Sequence, residues 1–304
     1  MQLPQVDVII PHLNDHDRLA QCLAALRRQT YPADRFGVTV VDNGSDTPIT
    51  PLLGASPGAQ GLVEPRRGCG AARNRGVAET SGAILAFTDS DCLPEPDWLL
   101  HGVMMLAAGK GVDIVGGDVR VFAADEAHPS DAELYDKVFG FECRRYVRHK
   151  RFACGANILV PRRVFEAVGP FRDGRQPEDL DWGRRATRQG YHIAFVADAV
   201  VRHPARATFA ELDKKTERTV WHARNHMAEG EYFRLKWAAY TLAMASPPLI
   251  KAAIVLSTPA LHGPTQRLRT LGALLRTRYG RVARMARYLF APAPGAAPFS
   301  TAGE

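Results

Sequence analysis

Acid is missing from one end of this sequence. Between Glu231 and Glu304 there is no Asp or Glu, while Arg234, Lys236, Lys251, Arg267, Arg269, Arg276, Arg278, Arg281, Arg284 and Arg287 all fall there. Those ten cations against Glu304 make +9, so the formal net charge of +7 leaves −2 for the first 231 residues. The basic character belongs to the tail, and so must any partner it implies. Cysteine is also sparse. Cys22, Cys69, Cys92, Cys143 and Cys154 are odd in number and none stands at CxxC spacing. That argues against a disulfide scaffold or a zinc knuckle and suits inert thiols in a reducing compartment. No basic region precedes the N-terminal run MQLPQVDVIIPHLN, and Asp7 interrupts it, so it reads as a first strand and not as a signal peptide. No internal repeat is visible. What remains is 304 residues, 46% apolar and 23% charged, enough to bury a core in one large domain or two smaller ones.

Strand and helix patterns alternate. Val6–Ile10 is an apolar strand closed by Pro11, and Asp15 or Asp17 can cap a helix through Arg28 with Leu19, Cys22, Leu23 and Leu26 on one face. Val38–Val41, Gly61–Val63 and Ile84–Phe87 follow as strands, with a glycine-opened helix over Gly68–Glu79. This spacing predicts βαβ units and a mostly parallel sheet. Further on, the patterns predict a helix over Asp97–Ala107, a strand over Asp113–Phe122 and a helix over Ser130–His149. They then predict a strand over Ala153–Val160, helices over Arg162–Val168 and Glu178–Gln189, short strands at Ile193–Val196 and Val200–Arg202, and a polar helix from Phe209 to about Arg234.

Ligands of such sheets lie at the carboxyl ends of the strands. Three of those ends are polar: Pro11-His12-Leu13-Asn14, Asp42-Asn43-Gly44-Ser45 and Asp89-Ser90-Asp91. The last sets two carboxylates one residue apart directly after a buried strand. Like charges so close are unfavourable unless a cation lies between them. Oxygen ligands suit Mg²⁺ or Mn²⁺, whose remaining positions go to phosphate and water. Surface aspartates that only cap a turn are the plainer alternative.

In order along the chain, VIIPHLN, VVDNGSDT, RRGCGAARNRGV, FTDSD, ACGANILVPRRVFEAVGPF and PEDLDWGRRATRQGY resemble the landmarks of family 2 glycosyltransferases. The resemblance covers roughly residues 5 to 205. It implies a GT-A type, Rossmann-like α/β sheet flanked by helices. It also implies inverting transfer of a sugar from a nucleotide diphosphate sugar to an acceptor hydroxyl. By the same resemblance Pro11, His12 and Asn14 pack on the base, and Asp42 accepts from a uracil N–H, which favours UDP. Asp42 is equally a turn-former before Asn43-Gly44. Gly68 opens a helix toward phosphate, and Arg73 and Asn74 face the base and donor. Asp89, Ser90 and Asp91 hold the diphosphate and its metal, with His203 completing the shell. Asn157 bonds a sugar hydroxyl or is buried in its own backbone contacts. Asp179 is the general base, with Glu178 and Asp181 as neighbours on the acceptor side. Trp182 stacks on an acceptor sugar or belongs to the core. The QxxRW motif of processive synthases is absent, which favours transfer of a single sugar.

The expected organisation is a catalytic domain over 1–230, with a nucleotide-binding half to 105 and an acceptor half from 106. An apolar and basic helical extension over 231–290 and a disordered tail over 291–304 follow. Trp237–Leu261 carries one charge, Lys251, but Pro247-Pro248 break it as a helical span, so it reads as re-entrant or surface-lying. Leu268, Leu271, Leu275, Val282, Met285 and Leu289 share one helical face with most arginines off it. Such a helix settles at an anionic membrane surface, or packs on the protein with its arginines in water. The expected place is therefore cytoplasmic, peripheral to the inner face of a membrane, acting on a saccharide or lipid-linked acceptor in cell-envelope or polysaccharide synthesis. A nucleotidyltransferase would need glycine in the first loop, which here is PHLNDHD, and a nucleic-acid-binding protein would leave the crevice unexplained. No nucleic-acid partner is expected.

Overall fold

A computed structural model of the protein describes residues 3–54, 58–109, 111–172, 176–228 and 232–289. The disordered tail expected over 291–304 lies outside the described residues, as does the final position of the extension, 290. In chain order the elements are β1 (Val6–His12), α1 (His16–Leu26), β2 (Phe36–Asp42), α2 (Thr50–Gly54), β3 (Ala59–Val63), α3 (Cys69–Ala78) and β4 (Ile84–Phe87). Then come β5 (Leu93–Pro94), α4 (Trp98–Ala107), β6 (Ile114–Phe122), α5 (Asp131–Phe139), α6 (Cys143–Arg145), β7 (Ile158–Pro161) and α7 (Arg162–Val168). The rest are α8 (Glu178–Arg188), β8 (Ile193–Pro204), α9 (Phe209–Met227), α10 (Phe233–Ala245), α11 (Leu249–Ser257) and α12 (Gly263–Arg287).

The strands form one sheet in the order β3-β2-β1-β4-β7-β6-β8-β5. β1 runs parallel to both β2 and β4, and β3 runs parallel to β2. This is the half that the βαβ spacing predicts. Beyond β4 the pairing turns antiparallel: β7 is antiparallel to β4 and to β6, and β5 to β8. Every residue of β1 is buried, as an apolar strand covered on both faces requires. α3 sits close on β1 because Gly76 has no side chain; a Cβ there would meet Ile9 Cγ2 at 2.5 Å.

The chain divides into two compact units. The first takes the residues up to Arg120 together with Glu142–His203, and its core includes Phe87, Phe165, Phe171 and Trp182. The second takes Val121–Phe141 and the chain from Pro204. It has one small core at Leu134, Val255, Leu261 and Leu274, and another at Val220, Trp237 and Met285.

Several elements differ from the sequence reading. The strand expected over Ala153–Val160 begins only at Ile158, and the polar helix expected to about Arg234 ends at Met227. The helix expected over Ser130–His149 begins as foreseen, with Ser130 and Glu133 forming a capping box, but ends at Gly140. The two short strands before His203 are one strand of 12 residues, β8. The basic amphipathic helix is not free to lie on a lipid surface along its whole apolar face. Leu274 and Met285 are buried, and Leu271 and Leu289 pack on the two small cores, leaving Leu268 and Leu275 exposed. Its arginines are also engaged: Arg269 meets Asp131 at 2.6 Å, Arg284 meets Asp213 at 2.9 Å and Glu217 at 3.1 Å, and Arg276 lies 3.8 Å from the Phe209 ring centre. Among the described residues no single helix is long and apolar enough to cross a membrane; α10 and α11 meet that test only together, bent by 43°.

Candidate active site

β4 delivers its polar end directly from the core. Phe87 is fully buried, and Asp89, Ser90 and Asp91 follow as partly exposed residues. The β5–β8 register, Leu93 opposite Arg202, sets Cys92 one step on beside His203. His203 Nε2 lies 3.2 Å from Asp91 Oδ2. Ligand atoms of Asp89, Asp91 and Cys92 lie within 4.8 Å of one another. Burial raises the Cys92 thiol well above its ordinary range, so it stays protonated and leaves the two carboxylates as the donors. Burial also pushes up Asp89, and Asp91 adds to this while the Arg73 guanidinium opposes it. Burial acts on Asp91 too, but the charge and hydrogen bond of His203 outweigh it and hold that carboxyl below the usual range.

Arg73, on α3, is the hub of the site. It is 2% exposed, and its guanidinium donates to Asp89 Oδ1 and to Glu178 Oε1, both at 2.6 Å. It therefore ties the β4 carboxylates to the acids that open α8. Three acids in that first turn, Glu178, Asp179 and Asp181, suit the positive end of a helix. Asp179 Oδ2 accepts from the Gly155 N–H at 2.9 Å and Oδ1 from the Leu180 N–H at 2.7 Å. Burial, reinforced by Glu178, raises the Asp179 carboxyl to about 6, against the pull of the Gly155 N–H and Arg73. Gly155 belongs to the Gly155-Ala156-Asn157 stretch of the ACGANILV motif. Its lack of a side chain is required, since a Cβ there would stand 2.8 Å from Arg73 Nη2.

The other two strand ends meet each other. Pro11 and His12 pair in register with Val41 and Asp42. Asn14, at φ 55°, clamps the facing loop: its N–H donates to Ser45 Oγ at 2.9 Å, and its amide exchanges bonds with Asp46 at 3.0 and 2.8 Å. Asp42 is buried and its Oδ1 accepts from the Ser45 N–H at 2.9 Å, so the turn-forming role is realised. Asn43, in the polar strand end read from the sequence, donates to the carbonyls of Glu64 and Arg66 and accepts from the Gly68 N–H at 2.7 Å, which fixes the left-handed entry to α3 (Gly68 φ 131°). His12 is 2% exposed and neither ring nitrogen has a partner. Burial, with His16 adding to it, lowers its pKa to about 4, so the imidazole is neutral at pH 7.

Several expected site residues are spent elsewhere. Both ends of the Asn74 amide bond the backbone of Phe171, at 2.9 Å each. Asn157 is fully buried; it accepts from Trp98 Nε1 and donates to the carbonyls of Asp118 and Ala199. No donor is left for a sugar, and the backbone-satisfying alternative holds. Trp182 is 1% exposed, donates to the Gly169 carbonyl and stacks on Phe165 with ring centres 5.5 Å apart. It belongs to the core and has no face for an acceptor sugar. Asp181 pairs with Arg185 at 2.8 Å within α8.

Comparison with known proteins meets this geometry from outside. Residues 7–169 match the profile of glycosyl transferase family 2. Glycosyltransferase AglE of Haloferax volcanii is 39% identical over 219 residues, 70% of this chain and 71% of that protein. Among solved structures, the mannosyltransferase PcManGT of Pyrobaculum calidifontis, in complex with GDP-Man and Mn²⁺, superposes with a TM-score of 0.63 at 20% identity over 95% of this chain and 88% of that one. GalNAc-T7 with UDP, GalNAc and Mn²⁺ gives a TM-score of 0.55 at 13% identity, over 76% of this chain and 53% of its own. Both structures share the fold. The matched profile spans the strand ends and the β4 carboxylates described above, and the chain belongs to glycosyl transferase family 2.

Proposed function

We propose that this glycosyltransferase moves one sugar, with inversion, from a UDP-sugar to a hydroxyl of a saccharide or lipid-linked acceptor, using Mn²⁺ or Mg²⁺. The pathway proposed is cell-envelope or polysaccharide synthesis at the inner face of a membrane. The residues fit a divalent ion: two partly buried carboxylates, one of them raised by burial and by its neighbour, are relieved by a cation of hard preference. Asp89 and Asp91 would hold it, with His203 beside Asp91. Bound there, it would offset charge on the departing diphosphate.

The observation that carries the reading is Asp179, a carboxyl raised to about 6 and set apart from the metal pair by Arg73. A base of that strength is about nine-tenths ionised at pH 7 and still accepts a proton well. Gly155 and Leu180 hold it by one N–H on each oxygen, leaving a further lone pair on each. Asp179 takes the acceptor's hydroxyl proton as that oxygen bonds to C1, and the C1–O bond to the diphosphate breaks. UDP rests on Asp42, and on His12 beside it: a buried ring with two idle nitrogens costs about 1–3 kcal/mol unless a ligand bonds it. PcManGT was solved with GDP-Man and GalNAc-T7 with UDP, so the shared fold accommodates either nucleotide, and Asp42 and His12 are what favour UDP here.

A thermal-shift and turnover screen of UDP-, GDP- and dTDP-sugars with and without Mn²⁺ tests it. A Mn²⁺-dependent shift with a UDP-sugar, and UDP as product, is expected. Pyrophosphate as product would favour a nucleotidyltransferase. No shift with any donor, with salt-sensitive retention on nucleic acid, would favour a nucleic-acid-binding protein.

A further inference from the structure

Among the described residues, the outer side of the α10–α11 pair has no cover within its unit. Leu235 and Leu242 lie two turns apart on α10, with exposed Ala239 between them, while Trp237 and Thr241 face inward. On α11, Leu249, Ile250 and Ile254 lie outward of Val255, which is buried among Leu134, Leu261 and Leu274. Leu242, Leu249 and Ile250 are 76%, 74% and 81% exposed, so the apolar surface continues across Pro247-Pro248. A soluble monomer rarely leaves such a run open.

Two arginines of α12 hold this pair in its bent form. Arg278 donates to the Ser246 carbonyl at 2.9 Å and to its hydroxyl at 3.3 Å, at the end of α10. Arg267 donates to the carbonyls of Val255 and Leu256 at 2.8 Å and of Leu261 at 3.3 Å, at the end of α11. Guanidinium groups at the last carbonyls of a helix satisfy them and suit the dipole. α10 has 13 residues and α11 has nine, against about 20 for a span, and their 43° bend is fastened from α12. A pair held in this way lies along a surface instead of crossing it.

Charge selects the surface. From Tyr232 through α12 there is no acid, and Arg234 and Lys236 are exposed on the first turn of α10. Apolar side chains on a stretch that holds cations and no acid from Tyr232 through α12 match acyl chains under anionic headgroups. A second copy of the same face would bring like charges together.

We propose that the outer face of α10–α11 is a membrane anchor lying in the plane of an anionic bilayer, with Leu242, Leu249 and Ile250 in the acyl boundary and Arg234 and Lys236 among the headgroups. It rests on the reading that the enzyme works at a membrane, and it names the face. The test is flotation of the full chain with phosphatidylglycerol-containing vesicles and with phosphatidylcholine vesicles. The chain should float with the former far more than with the latter. Because burying one such side chain is worth roughly tenfold in partitioning, Leu249→Asp with Ile250→Asp should lower binding on the order of 100-fold with an unchanged unfolding midpoint. Leu249→Ser with Ile250→Ser should do so in the same direction. Arg234→Glu with Lys236→Glu should lose the preference for anionic vesicles. Undiminished binding by both leucine–isoleucine double variants overturns this face while leaving membrane attachment intact. No binding of the unaltered chain to either vesicle overturns membrane attachment itself. A dimer in sedimentation that the double variants abolish, without vesicle binding, assigns the face to a second copy and overturns the proposal.

Discussion

Replacing Asp179 by Asn should make the protein more stable and nearly inactive, and the two effects have one cause. Burial raises this carboxyl from 3.8 to about 6. The folded chain therefore holds the proton more tightly than the unfolded chain does. The stability this group contributes is present in full below pH 3.8 and is lost as pH rises to about 6, after which the loss is constant. At about 1.4 kcal/mol per unit the loss is at most about 3 kcal/mol at pH 8. Asn cannot ionise and is spared it, although its amide nitrogen cannot accept from the Gly155 or Leu180 N–H. Urea unfolding should thus find Asp179→Asn about 1–3 kcal/mol more stable at pH 8 and level with the unaltered protein below pH 4. Turnover should fall about 10²–10⁴-fold. In the unaltered enzyme kcat should drop as pH falls through about 6, with the slope of one proton. An Asn variant whose stability relative to the unaltered protein does not rise between pH 4 and pH 8 would mean that Arg73 and the start of α8 hold the carboxylate ionised, which refutes the poised base. Near-normal turnover would pass the role to Glu178 or Asp181.

Arg73→Gln leaves Asp89 and Glu178 facing a neutral group. A loss of about 3–5 kcal/mol in urea unfolding is expected, with Arg73→Lys intermediate because one ammonium does not span both carboxylates. Gly155→Ala forces a methyl to within 2.8 Å of Arg73 Nη2; kcat should fall with donor KM little changed, and a normal kcat would separate Arg73 from catalysis. Trp182→Phe should cost about 1–3 kcal/mol of stability and leave acceptor KM unchanged, whereas a raised KM without destabilisation would return Trp182 to the acceptor site.

The polar strand ends were legible because the chain states them locally. Apolar runs that end in Pro11-His12, Asp42-Asn43 and Asp89-Ser90-Asp91 mark strand ends, and Pro177 before three acids marks the start of α8. The partners of each side chain were not legible. Asn74, Asn157 and Trp182 have the chemistry of ligand-binding residues, but Phe171, Ala199 and Gly169 claim their polar atoms, from 97, 42 and 13 positions away. Arg73 as a bridge depends on contacts 16 and 105 residues distant. Periodicity marked an apolar face on α12, but Leu268 and Leu275 on that face are exposed while Leu274, off it, is buried, because periodicity does not say what covers a helix. Leu134 and Val255 cover Leu274, and Trp237 covers Met285, so the open apolar surface passes to α10 and α11. The short strands expected at Ile193–Val196 and Val200–Arg202 are one strand, β8, because the polar Asp198 between them is exposed and an outward position of the alternation accepts it.

On the proposed chemistry Asp89 and Asp91 would join a divalent ion to a nucleotide diphosphate. Titration of Mn²⁺ by electron paramagnetic resonance, with and without UDP, tests it in the unaltered chain and in Asp91→Asn. The account predicts that UDP tightens Mn²⁺ uptake by the unaltered chain and that the variant loses this coupling. Coupling undiminished in Asp91→Asn, or UDP binding indifferent to Mn²⁺, would contradict it.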